Sequence, residues 1–148
     1  MILPDFKGFP RVGRIIGVDW GARRIGVAVS DEIRAFVFVR PTINVGRGDD
    51  AAAIVARLAT DERAVGIVVG LPLYPDGSES DTTKMVREFM NTLSQKTDLP
   101  IVTVEENLTS VSAQELMGRV RVRDIKERLD SESARVILEN AIALINRG

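Results

Sequence analysis

The chain has 148 residues, 45% of them apolar and 28% charged, with a formal net charge of −1. That length and apolar content suffice for one domain with its own core, and near-neutrality excludes a uniformly basic nucleic-acid binder, leaving only a local patch for such a partner. The absence of Cys and His removes thiol nucleophiles, imidazole bases and the usual zinc ligands together, so any chemistry must run on carboxylates, hydroxyls, Lys, Arg or a hard cation held by oxygen.

Residues 1 to 13 carry two Pro, two Gly and no periodicity, which predicts a flexible N-terminal arm ahead of a single domain over 14–148. The start MILPDFKGFPRVGR lacks the apolar core of a secretory leader, and no run reaches the length of a membrane span. A soluble, cytoplasmic protein is expected. Three apolar runs at 14–19, 24–30 and 35–40, separated by the turn-compatible WGAR and DEIR, read as an antiparallel meander. An Ala-rich helix follows from Asp49, with acidic residues at its start where the helix dipole favours them. The β-branched run at 64–70 reads as a strand covered on both faces. From Asp81 to Gln95, Met85, Val86, Phe89, Met90 and Leu93 share one helical stripe, and 100–105 is another buried strand, so this strand–helix–strand order implies a parallel crossover. SAQE at 112–115 has capping-box spacing ahead of Leu116 and Met117. A last helix from Asp130 places Ala134, Ile137, Leu138, Ala141 and Ile145 on one face. The layout is β-β-β-α-β-α-β-α-α, an α/β fold with a ribonuclease H-like mixed five-stranded sheet and helices on both faces.

Asp19 ends the first strand and Glu106 follows the last, positions that face one crevice beyond the carboxyl ends of the parallel strands. Asp130 begins the last helix, in step with the core positions Ala134 and Ile137. Three acids brought together oppose one another's ionisation unless a divalent cation neutralises them, and an oxygen-only set suits Mg²⁺ or Mn²⁺. Such ions support phosphodiester hydrolysis. Taken singly, each has a plainer reading: Asp19 as a turn cap, Glu106 as a surface acid, Asp130 as a helix N-cap.

The stretches GVDWGARRIGVAVSD, VVGLPLYPDGSES, VEENLTS and LDSESARVIL resemble the four signature blocks of the YqgF-type family of pre-16S rRNA nucleases, also described as Holliday junction resolvase-like. The resemblance runs from about residue 14 to the C-terminus. It implies a metal-dependent nuclease maturing the 5′ end of pre-16S rRNA, with Asp19, Glu106 and Asp130 as metal-binding and catalytic acids. Two departures stand out: Glu105-Glu106-Asn107 replaces the family's Asp-Glu-Arg, and Asp130-Ser-Glu-Ser133-Ala134 replaces Asp-x-x-Ala-Ala. The missing Arg removes a phosphate or outer-sphere contact and bears on catalytic strength more than on reaction class.

For substrate binding, Arg23 and Arg24 follow the first turn beside the proposed acids and either hold a phosphate or neutralise the carboxylate rim. Arg119, Arg121 and Arg123 alternate in the densest basic segment and would line one side of an extended loop, suited to a nucleic-acid backbone; the alternative is a solvated loop. The segment GLPLYPDGSES at 70–80 reads as a structured rim loop with a substrate-contact role, entering a helix through Ser78, Ser80 or Asp81. Structured RNA is the expected partner of a monomer or homodimer. Branched DNA is the rival substrate, and paired cuts in a four-way junction would require a symmetric dimer. An ATP-binding protein of the actin and sugar-kinase type shares the look of the first block but needs a second domain that 148 residues do not hold. A non-catalytic binding module on the same fold is the remaining alternative.

Overall fold

The computed structural model describes residues 1–107 and 122–147, the latter with side chains from Glu132 onward. Five strands form one sheet: β1 (Ile15–Asp19), β2 (Arg24–Ser30), β3 (Val37–Asn44), β4 (Gly66–Leu73) and β5 (Ile101–Asn107). The helices are α1 (Ala51–Asp61), α2 (Asp81–Lys96) and α3 (Val122–Arg147). Strand order is β3-β2-β1-β4-β5. The first three strands are an antiparallel meander, and β4 and β5 add parallel to β1. This is the expected ribonuclease H-like arrangement.

The central strands are apolar without alternation because both faces are covered. On one face Ile16, Val18, Ile25, Val27, Ile67 and Val69 pack with Val55 of α1 and Phe89 and Leu93 of α2. On the other, Ile15, Ala28, Val68, Val102 and Val104 pack with the α3 stripe Ala134, Ile137, Leu138, Ala141 and Ile145. Each fully buried aliphatic side chain of this kind is worth about 2 kcal/mol. Asp50 caps α1 by accepting from the Ala53 amide, and Ser80 and Thr83 form a reciprocal capping box on α2.

Several details differ from the sequence reading. The third strand covers 37–44 rather than 35–40, because its ladder with β2 continues to Asn44 opposite Arg24; Pro41 is accommodated on this edge strand, where a missing N–H is tolerated. The segment expected as a flexible arm is attached to the sheet: Ile2 bridges Ile101, the Leu3 amide donates to the Ile101 carbonyl, and Phe9 is buried over Gly66, whose missing side chain makes room for the ring. The last helix begins at Val122, so Asp130 stands two turns inside it and not at its start, which removes the N-cap reading. Val122 and Arg123 are helical, so the extended alternation proposed for Arg119, Arg121 and Arg123 does not hold at its end. Arg119, Arg121 and the SAQE segment lie outside the described residues. Among the described residues, no helix is long and apolar enough to cross a membrane.

Candidate functional site

Strand register brings Asp19 and Glu106 to one face and one end of the sheet. In β1, Ile16 and Val18 face α1 and α2, which leaves Ile15, Gly17 and Asp19 on the α3 face. The β1–β4 ladder pairs Val18 with Val69, so Asp19 is level with Gly70, about 5 Å away at strand spacing. Glu106 lies inside β5 opposite Pro72, on the same face as Val102 and Val104.

Gly70 decides where the Glu106 carboxylate goes. A Cβ at this position would stand 2.7 Å from Glu106 Oε2 and 2.9 Å from its Cδ, and would collide with Ile137 Cδ1. The carboxylate therefore folds back into the space that Gly70 leaves, over the strand adjoining Asp19, under the edge of α3. A glycine in the interior of a β-branched and aliphatic run, IVVGL, is the sequence signal for such a close approach.

This environment acts on ionisation. Burial pushes the Glu106 carboxyl up from its ordinary value of 4.5 to about 7, because the charged form loses hydration. Among the described residues no cation and no hydrogen-bond donor pairs with it. Asp19 is half-buried and makes an interaction of its own. Gly26 faces Asp19 across the β1–β2 ladder and adds no side chain there.

α3 crosses the same face at Gly17, where a Cβ would lie 2.8 Å from Leu138 Cβ and 2.9 Å from the Ala134 carbonyl oxygen. Asp130 is four residues before Ala134 on that helix, one turn or about 6 Å along its axis. Its side chain lies outside the described residues, as do those of Arg123 and Asn107. Among the described residues no group of three or more potential metal ligands occurs; Asp19 and Glu106 make two. Their chemistry fits a hard divalent cation: oxygen donors only, and a carboxylate in a cradle that a Cβ would fill.

Of the arginines, Arg23 is exposed beyond the β1–β2 turn. Arg24 opens β2 on the α3 face, two residues from Gly26, and its Nη1 is buried without a hydrogen-bond partner. A buried, unsatisfied guanidinium nitrogen on the face that carries the acids is suited to an anionic oxygen of a ligand.

The rim segment after β4 is tightly built. Leu73 bridges Glu79, the Tyr74 amide donates to the Ser78 carbonyl at 3.0 Å, and the Gly77 amide donates to the Tyr74 carbonyl at 2.8 Å. Asp76 accepts from the Ser78 amide at 2.9 Å and from its hydroxyl at 2.6 Å. The fully buried Thr83 hydroxyl donates to the Pro72 carbonyl and fixes the start of α2 against the end of β4. Ser80 is the N-cap among the three candidates named from sequence.

A family model described as RuvX, Holliday junction resolvase, matches residues 13–143. Among curated proteins, one named "Putative pre-16S rRNA nuclease" from Maridesulfovibrio salexigens is 33% identical over 132 residues, covering 88% of this chain and 98% of its own. Another of the same name from Chromobacterium violaceum is 39% identical over 123 residues, covering 81% and 90%. Among solved structures, Thermus thermophilus RuvC in complex with Holliday junction substrate superposes with a TM-score of 0.50 at 12% identity, covering 90% of this chain and 91% of that one, a likeness of fold.

Proposed function

Because the chain belongs to the RuvX family, we propose that it is an endonuclease that hydrolyses phosphodiester bonds with the help of Mg²⁺ or Mn²⁺, and that its substrate is the 5′ end of pre-16S rRNA. The observation that carries the reading is the Glu106 carboxylate, half-buried in the space over Gly70 on the strand next to Asp19, with its pKa raised by desolvation. Asp19 and Glu106 would hold the cation from the sheet, and Asp130, one helical turn from the crossing at Gly17, would supply a third carboxylate from α3. When bound, the ion polarises the phosphate and lowers the pKa of the attacking water.

The protein's own groups then divide the remaining work. Glu106 must shed its proton before it serves as a ligand, so protons compete with the cation and activity falls toward acid pH. Arg24 Nη1 holds a non-bridging phosphate oxygen and keeps the scissile bond in place. Arg23 adds a backbone contact from the exposed side of the turn, and Arg119, Arg121 and Arg123 extend the basic track. The rRNA assignment draws on the names of the curated relatives.

Four-way DNA junctions are the second reading, favoured by the description of the matching family. One experiment separates the two: equal preparations are offered a model pre-16S RNA and a four-way junction with Mg²⁺, Mn²⁺ or EDTA. Cation-dependent cleavage of the RNA at its 5′ side supports the proposal. Paired symmetric cuts in the junction with the RNA intact replace it with the second reading, and binding without cleavage of either identifies a non-catalytic module.

A further inference from the structure

Tyr74 is the only tyrosine of the chain and is 48% exposed, although it directly follows one of the most buried strands. Its place relative to the acids is set by register. Gly70 and Pro72 lie on the face that carries Glu106, Pro72 pairs with Glu106 itself, and Leu73 on the opposite face is buried in the α1–α2 core. Tyr74 stands just past the end of β4, two residues beyond Pro72, the partner of Glu106.

The backbone beneath it is fixed rather than loose. The hydrogen bonds of Tyr74 with Ser78 and Gly77, the Asp76–Ser78 pair, and Gly77 at φ +86 close a tight turn that only Gly adopts at no steric cost. Glu79 is held by Arg87 Nε at 2.7 Å, and Thr83 ties the far side of the turn to Pro72. No other described aromatic ring pairs with Tyr74; Trp20 is instead packed against Phe89 at 6.3 Å. The result is an exposed aromatic face on a rigid mount at the end of the sheet where the acids gather. An aromatic so placed, with no ring of its own protein against it, is suited to stack on a flat partner, and a nucleobase is the flat partner that a phosphodiesterase site brings with it.

We propose that Tyr74 positions the substrate by stacking on an unpaired base next to the scissile phosphate, so that this enzyme selects single-stranded RNA at the cut. The inference rests on the nuclease reading above and adds its substrate form. A fully paired duplex or junction arm keeps its bases stacked on each other and gains nothing from Tyr74.

The test uses a short single-stranded RNA carrying 2-aminopurine, bound to the full chain in EDTA so that no cleavage occurs. Tyr74→Phe should keep both affinity and the quenching that stacking produces. Tyr74→Ala and Tyr74→Leu should lose the quenching and bind about 5- to 150-fold more weakly, the range that base–aromatic stacking covers, while their thermal unfolding matches the parent. In cleavage assays with cation, the Ala variant should raise KM on single-stranded RNA more than on a paired substrate. Wild-type quenching that survives in Tyr74→Ala, or no quenching in wild type, overturns the proposal. An Asp19→Asn variant that binds and quenches but still cleaves would sink the three-carboxylate reading and leave Tyr74 stacking standing.

Discussion

Replacing Glu106 by Gln isolates the electrostatic burden that the site carries in the absence of a cation. The folded protein holds the Glu106 proton up to about pH 7, whereas an ordinary carboxyl of this type releases it near 4.5. A folded-state value raised in this way favours the native state fully below the ordinary value, and the advantage is lost as pH rises through about 7. At 1.36 kcal/mol per unit, the cost of the buried charge at pH 8 is about 3 kcal/mol. Gln keeps the shape and does not titrate, so wild type and Glu106→Gln should diverge by about 2.5 kcal/mol between pH 5 and pH 8, with the variant gaining. For a chain of this size the divergence corresponds to roughly 5 to 10 °C in Tm. Urea unfolding of both proteins in EDTA at several pH values measures it. Added Mg²⁺ should reverse the order at pH 8, because only wild type then gains a ligand for its charge. Parallel stability profiles in EDTA would refute the reasoning, since they would mean that Glu106 carries no uncompensated charge.

Three further outcomes follow from the same geometry. Gly70→Ala should displace the Glu106 carboxylate, whose oxygen stands 2.7 Å from the new Cβ, and should cut cation-dependent cleavage at least tenfold, checked by kcat at saturating Mg²⁺. Gly17→Ala meets the Ala134 carbonyl at 2.9 Å and Leu138 Cβ at 2.8 Å, so α3 must lift from β1; chemical denaturation should show a loss of about 1 to 3 kcal/mol. Replacing Arg119, Arg121 and Arg123 together by Ala should lower the log–log salt slope of RNA binding by about 2, at roughly 0.7 for each phosphate no longer neutralised on a single strand, and an unchanged slope would mark the segment as solvated.

The parts of the fold that the sequence announces are those whose residues have one physical role. β1, β2, β4 and the start of β5 are short β-branched runs buried on both sides, and α2 buries Val86, Phe89, Met90 and Leu93 of its expected stripe, whereas Met85 at the edge of that stripe is 45% exposed. β3 is less legible: Phe36 and Phe38 are 66% and 48% exposed, and the strand is placed by its partner β2 and not by hydrophobicity. The docking of residues 1–13 depends on one aromatic, Phe9, matched to a glycine more than fifty positions away, a pairing no local pattern reveals. The early start of α3 had a signal in Val122, Ile125 and Leu129 at helical spacing, masked by the cap-like Asp130-Ser131. At the site, Asp19 and Glu106 are legible as acids at strand ends. The space that Gly70 leaves for Glu106 is a matter of register between β4 and β5, which one sequence does not contain.

Whether Asp19 serves a cation is tested most directly by thermal unfolding of wild type and Asp19→Asn, each in EDTA and with a Mg²⁺ titration. The two should be similarly stable in EDTA, because Asn keeps the shape and hydrogen-bonding reach of Asp19. With Mg²⁺, wild type alone should gain stability as RT ln(1 + [L]/Kd), about 2.7 kcal/mol at a hundred times Kd. A variant that melts well below wild type in EDTA, or that gains as much from Mg²⁺, would contradict the cation-binding role and leave Asp19 as a structural carboxylate.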